Sequence, residues 1–185
     1  MLTENKIKTL NAKFESLNPA EQRVLIARDV LAQVKKEKFF PRRGSYIKHL
    51  TIGGNECDIT TNRRNSVQKH FDEITCYCCA LGACLLSATK YKNKLEFKDV
   101  YNLAASQSPW DLLRGIFPSK QLNMIEYAFE AERSGTRVGE NRFNNYLEDG
   151  IKEACIDFGR NYAEPEDRMI AIMKNIIKNK GEFKP

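Results

Sequence analysis

One stretch of the chain, residues 76–89, contains no charged side chain, although charged residues make up 29% of the protein. Its sequence is CYCCALGACLLSAT, in which almost every residue is small or apolar. A helix that is apolar on every side cannot face water and has to pack against other elements. The stretch therefore predicts a buried central helix with the other elements arranged around it.

Apolar residues before this stretch continue the same helical spacing. Steps of four and three residues connect Val67, Phe71, Ile74, Cys78, Leu81 and Leu85. This spacing predicts one helix that begins near residue 65 and runs into the apolar stretch. Glycine costs about 1 kcal/mol of helix propensity relative to alanine. Gly82 therefore predicts that another helix approaches closely at this point.

Helix signals recur along most of the remaining chain. Asn18, Pro19 and Glu21 have the order of a capping box with proline at the first helical position. Residues 108–111, with the sequence SPWD, are a similar start signal. Residues 39–61 are the least helical, and a strand over residues 46–52 with a turn at Gly53-Gly54 could form half of a hairpin.

The expected fold follows from these patterns. We expect an all-α protein, a single globular domain over residues 1–185 with about seven helices around the buried central helix. At most a small β element is expected near residues 45–60. The sequence has no apolar run of the ~20 residues that span a bilayer and no apolar core of a secretory signal at its start. We therefore expect a cytoplasmic protein without a membrane partner.

Cysteine is concentrated in the apolar stretch. The six cysteines are Cys57, Cys76, Cys78, Cys79, Cys84 and Cys155. A disulfide framework would spread them along the chain, so we expect buried free thiols that act as small apolar residues. Cys76 and Cys79 form a C-x-x-C with Cys57 and His70 nearby, but no second pair has the spacing of a zinc site. The sequence predicts no metal ligand and no cofactor.

Catalytic patterns are absent from the sequence. His49 and His70 are the only histidines, and no Ser/His/Asp order is present. Residues 135–139, GTRVG, follow no predicted strand and precede no Lys-Ser, so they are not a phosphate-binding loop. We expect no catalytic residue and favour a non-enzymatic protein. A cysteine- or metal-dependent enzyme is the distant alternative.

The positive charge is concentrated in residues 35–70. Nine Lys/Arg against three Asp/Glu in this segment equal the whole net charge of +6. Arginines interleaved with Phe39, Phe40 and Tyr46 suit phosphate contacts and base stacking, although a solvated surface without a ligand would have the same composition. A reversal at Gly53-Gly54 would bring two arginine pairs together. The predicted anion- or partner-binding residues are Arg42, Arg43, Lys48, Arg63, Arg64 and Lys69.

Three patches carry a resemblance to a known group. They are residues 76–83 (CxxCALGA), residues 121–129 (QLxxIExAF), and residues 170–177 (IAIMxNII) with the ending GEFKP. Together they resemble small uncharacterised proteins encoded by bacteriophages. The resemblance implies a viral accessory protein that acts in the bacterial cytoplasm. We expect it to bind a host factor or an anionic ligand without catalysis, and interference with host defence follows by analogy alone. The main alternative is a nucleic-acid-binding protein that uses residues 35–70.

Overall fold

The computed structural model describes residues 1–56, 66–92, 95–101, 108–131 and 147–185. Within these ranges the helices are α1 (Glu4–Glu15), α2 (Pro19–Lys35), α3 (Val67–His70), α4 (Ala80–Tyr91), α5 (Phe97–Tyr101), α6 (Ser108–Arg114), α7 (Ser119–Glu130), α8 (Asp149–Arg160) and α9 (Pro165–Lys178). The strands are β1 (Phe39–Pro41), β2 (Ile47–Ile52), β3 (Asn55–Glu56) and β4 (Ile74–Cys78). The all-α prediction is therefore wrong, because the described residues form a mixed α/β fold.

The four strands form one mixed sheet with the order β1-β4-β2-β3. β4 lies in the middle and pairs in parallel with β1 and antiparallel with β2. β2 and β3 form the hairpin expected around Gly53-Gly54. Both glycines have positive φ, 58° and 83°, as the two central residues of a tight hairpin turn require.

The long helix expected from residue 65 into the apolar stretch is replaced by four short elements. α3 is followed by a 3₁₀ turn (Phe71–Glu73), then β4, then α4. Ile74, Cys76 and Cys78 are buried, whereas Thr75 and Tyr77 between them are more exposed. This alternation is the two-residue period of a strand with one covered face. Helical spacing and strand alternation share Ile74 and Cys78, which is why the periodicity misled the prediction.

α4 is the buried central helix, although it is shorter than expected. Eleven of its twelve residues are buried, and Lys90 is the exception. The helix contacts α1, α2, α3, α6, α7 and β4. Cys79 caps its N-terminus, where the Sγ atom accepts a hydrogen bond from the Gly82 amide at 3.5 Å. The sheet is thus connected directly to the buried central helix, because β4 leads into α4 without a loop.

Gly82 does permit a close approach, but the neighbour is not a helix. A Cβ atom at Gly82 would lie 1.8 Å from the backbone oxygen of Tyr46. The Cys79 amide also donates to the carbonyl of Ser45 at 3.0 Å. The segment that leads into β2 is therefore held against the first turn of α4, and this contact sets the position of β2 beside β4.

The capping box predicted at the start of α2 is confirmed. Asn18 Oδ1 accepts from the Glu21 amide at 3.0 Å, and Glu21 Oε2 accepts from the Asn18 amide at 2.9 Å. Pro19 occupies the start of α2. None of the described helices has the length and hydropathy needed to cross a membrane.

The packing at Gly82 predicts the effect of one methyl group. Gly82→Ala should lower the free energy of unfolding by about 3 kcal/mol or more, because backbone atoms of Tyr46 cannot move aside as a side chain would. Gly150→Ala is the matched control, since a Cβ there meets nothing within 4 Å. That control should raise stability by up to about 1 kcal/mol. Urea unfolding followed by circular dichroism measures both. Equal stability of the two variants would contradict the packing.

Candidate functional site

An exposed aromatic side chain lies at the centre of the sheet. Tyr77 is on the interior strand β4, and 41% of its surface is exposed; among the large apolar side chains of the described ranges, Met1 alone shares such exposure. Its register partners are Phe40 on β1 and Lys48 on β2. Because residues paired in register point to the same side of a sheet, these three side chains form one row across three strands. We call the surface formed by Phe40, Arg42, Lys48, His49 and Tyr77 the outer sheet face.

Because the opposite side of the sheet is buried, the row of Phe40, Tyr77 and Lys48 has to face solvent. Phe39 and Cys76 are paired and buried, and Leu50 of β2 is buried as well. A shift of one residue would exchange the two sides and expose the core residues to water. Core packing therefore directs Phe40, Tyr77 and Lys48 outward.

Three neighbours contact the Tyr77 ring. The centroid of Phe40 lies 5.4 Å away at an interplanar angle of 36°. The ring of His49 lies 5.9 Å away at 83°, an edge-on contact. The Arg42 guanidinium carbon is 5.7 Å from the Tyr77 centroid, within the range of a cation–π contact. These contacts hold the Tyr77 ring in place while leaving part of it open to solvent.

A β-bulge places His49 on this surface. The register between β2 and β4 shifts between Lys48 and Thr51, so β2 has one extra residue at this point. His49 has a φ of 48°, in the left-handed region that costs a residue other than glycine roughly 1–3 kcal/mol. Bulges commonly redirect a side chain beside a functional site. Here the bulge places the imidazole ring of His49 on the outer sheet face, next to the Tyr77 ring.

The outer sheet face is electrostatically positive. Arg42 and Lys48 are exposed, and no residue of β1, β2 or β4 is acidic. Glu56 on the edge strand β3 is the nearest acid in register, since it pairs with Thr51. The Arg42 amide donates to the Cys78 carbonyl at 2.9 Å, which extends the pairing of β1 with β4 and anchors the arginine backbone.

The binding residues predicted from the sequence do not all lie on one surface. Arg42 and Lys48 share the outer sheet face, but Arg43 lies beside α7, with Nε 3.8 Å from Glu130 Oε2. Lys69 is exposed on α3. Arg63 and Arg64 lie outside the described residues, so the expected meeting of the two arginine pairs stays a prediction.

The three aromatic residues of the basic segment have different roles. Phe39 is buried in the core, whereas Phe40 is half-buried on the outer sheet face. Tyr46 donates its hydroxyl to Glu126 Oε1 at 2.9 Å, and its ring packs against Trp110 with centroids 4.4 Å apart. Among the described Phe, Tyr and Trp side chains Tyr77 is the exposed one, and the sequence did not single it out because it lies inside the apolar stretch. Its alternation with Cys76 and Cys78 fits a strand, but all three residues are apolar, so the sequence pattern does not show which of them faces solvent.

The cysteines of the described residues are buried free thiols. A hydrogen bond with Cys76 and burial raise the pKa of Cys78, and burial raises the pKa of Cys79 above its usual range. Burial raises the pKa of Cys84 and of Cys155 to about 12. Since the thiolate is the nucleophile, these raised pKa values keep Cys78, Cys79, Cys84 and Cys155 as unreactive neutral thiols near neutral pH.

The cysteines and histidines of the described residues do not converge on a metal. No three His, Cys, Asp or Glu side chains within the described ranges are grouped as a metal site would require. His70 Nδ1 lies 3.2 Å from Glu73 Oε2, and Cys79 Sγ accepts the capping bond from Gly82. Cys57 lies outside the described residues. The absence of stoichiometric zinc stays a prediction, which elemental analysis of the purified protein would check.

Comparisons with protein-family models, curated proteins and solved structures found no match for this chain. The resemblance to bacteriophage proteins therefore stays a prediction. The case for a function depends on the residues of the outer sheet face themselves.

Burial of the thiols predicts slow chemical labelling. In a Cys57→Ser variant, the remaining five cysteines should react with a thiol reagent at least about 100-fold more slowly in the folded protein than in denaturant, because folding buries all five thiols and raises the pKa of Cys78, Cys79, Cys84 and Cys155. Absorbance of the released reagent measures the rate. Rapid reaction of all five thiols in a protein that retains its circular dichroism spectrum would contradict the buried cluster.

Proposed function

We propose that this protein is a non-enzymatic binder of single-stranded nucleic acid, with the outer sheet face as its binding surface. The observation that carries the proposal is the row of Phe40, Tyr77 and Lys48 across the three strands. It presents two neighbouring rings and a cation on one side of a rigid sheet. Arg42 and His49 flank the central ring.

This combination matches the chemistry of a single strand. Unstacked bases lie on aromatic rings, and each such stack contributes about 1–3 kcal/mol. Lysine and arginine beside the rings neutralise the phosphates that connect successive bases. Proteins that bind RNA on a β-sheet use aromatic side chains of the sheet in the same way.

A duplex fits the surface less well. The bases of a duplex are already stacked on one another, and an α-helix or a protruding ribbon is normally needed to enter its major groove. Tyr77 lies on a broad sheet rather than on a protruding element. The ring is therefore available to a base only when the base is unpaired.

The cellular setting is part of the proposal. The resemblance to phage-encoded proteins implies an accessory protein in the cytoplasm of an infected bacterium. Single-stranded nucleic acid is present there during phage replication and transcription. Binding it would serve either the viral genome or interference with a host defence that senses such strands.

Labelled oligonucleotides test the proposal directly. Tyr77→Ala should weaken binding of a single-stranded oligonucleotide by roughly 1–3 kcal/mol through loss of a base stack, whereas Tyr77→Phe should retain the affinity. Fluorescence anisotropy measures both variants. An unchanged affinity of Tyr77→Ala, or a preference for the matching duplex, would refute the proposal.

Charge reversal tests the phosphate contacts. The double variant Arg42→Glu and Lys48→Glu should reduce the slope of log affinity against log salt by about 1.4, the value for two single-strand phosphates. Lys8→Glu with Lys120→Glu is the matched control, because both lysines are exposed on other elements and the change in net charge is equal. Equal slopes in the two double variants would mean that only overall charge matters. Equally tight binding of heparin, which has no bases, would likewise exclude stacking.

A further inference from the structure

A second surface of the protein has the composition of a docking groove. It lies where α1 joins α2 and where α9 ends, and its volume is about 660 Å³. Leu17, Val24, Leu25 and Ile177 supply its apolar lining, and each of them is half-buried. We call this surface the α1–α2 groove. It shares no residue with the outer sheet face.

The shape of the α1–α2 groove is fixed by local hydrogen bonds. The capping box of Asn18 and Glu21 sets the sharp turn between α1 and α2. The Gln22 side-chain amide donates to the carbonyls of Phe14 and Leu17, at 3.0 and 3.1 Å. A groove built on such contacts is preformed, so a ligand need not spend binding energy on ordering it.

Positive charges surround the apolar lining. Lys13 comes from α1, Arg28 from α2, and Lys180 from the turn after α9. Within the described ranges none of the three forms an ion pair. Glu21 is the acid of the lining, and its carboxylate already accepts the Asn18 amide. The rim therefore carries a surplus of positive charge on three separate elements.

We propose that the α1–α2 groove binds an acidic amphipathic helix of a partner protein. Such a helix inserts two or three apolar side chains at positions i, i+3 or i+4, and i+7 into the groove. Acidic residues on its flanks then meet Lys13, Arg28 and Lys180. Charge complementarity of this kind selects the partner and speeds its association.

The same features argue against other occupants. A fatty acid has one carboxylate and would leave two of the three cations without a counter-charge. A nucleic-acid strand would find no aromatic ring in the lining to stack on. An acidic helix is the occupant that matches both the apolar lining and the distributed charge.

A designed peptide tests this proposal with the full-length protein. The probe is a stapled helix with leucine at the i, i+3, i+4 and i+7 positions and glutamate elsewhere, and its control has lysine in place of glutamate. The glutamate peptide should bind and the lysine peptide should not. Isothermal titration calorimetry measures both. Failure of the wild-type protein to bind the glutamate peptide, or equal binding of the two peptides, would overturn the proposal.

Variants locate the binding to the groove. The triple variant Lys13→Glu, Arg28→Glu and Lys180→Glu should weaken binding of the glutamate peptide at least about tenfold, since it places like charges together. The matched control is Lys8→Glu, Lys120→Glu and Lys178→Glu, with the same change in net charge at exposed sites outside the groove. Equal weakening by the two triple variants would overturn the proposal.

Two further measurements complete the test. Val24→Asp should abolish binding by placing a charge in the apolar lining, while thermal unfolding confirms that the variant remains folded. Tyr77→Ala should leave the affinity unchanged, so that failure of the groove and failure of the nucleic-acid surface are distinguishable. If dodecanoate binds the wild-type protein and displaces the peptide, whereas the triple variant binds neither, the groove is an acyl-chain site and the proposal is wrong.

Discussion

The contact between Gly82 and the backbone of Tyr46 is the constraint on which the rest of the surface depends. It places the start of β2 against the first turn of the buried helix α4, where no side chain could intervene. The hydrogen bond from Cys79 to Ser45 fixes the same junction. With β2 held there, Lys48 aligns with Tyr77 and the outer sheet face has a rigid support. Functional groups held by packed elements in this way keep their geometry when a ligand binds.

Those parts of the fold that depend on neighbouring residues could be predicted from the sequence. The capping box at Asn18, the turn at Gly53-Gly54 and the buried helix around Leu81 each arise from signals a few residues apart. The sheet could not be predicted in this way. β1 has three residues and β3 has two, and β4 lies inside a segment whose apolar spacing also fits a helix. Pairing of such short strands is decided by contacts distant in the sequence, which override local propensity.

The candidate site could likewise be predicted from the sequence only in part. Arg42 and Lys48 could be predicted because a surplus of charge is visible in any sequence. The sequence does not show that Arg43, unlike Arg42, lies away from the outer sheet face. Its position beside Glu130 depends on where β1 ends relative to α7. Tyr77 stands among apolar residues, and only the strand register with Phe40 and Lys48 reveals that it faces outward. Exposure of that residue is thus a property of the tertiary structure rather than of its own segment.

The position of β4 between β1 and β2 also determines when the surface comes into existence during synthesis. β1 and β2 are synthesised before β4, but they are not adjacent in the sheet. The strand that lies between them and pairs with both is complete only when Cys78 has been added. Joining β1 to β4 in parallel closes a loop of more than thirty residues, a non-local step of the kind that slows folding. A growing chain that has emerged only as far as the β2–β3 hairpin therefore lacks the aromatic row altogether. Under the proposed function, a ribosome-bound chain would therefore have no partial binding surface, because the aromatic row forms in one step when β4 is inserted between β1 and β2.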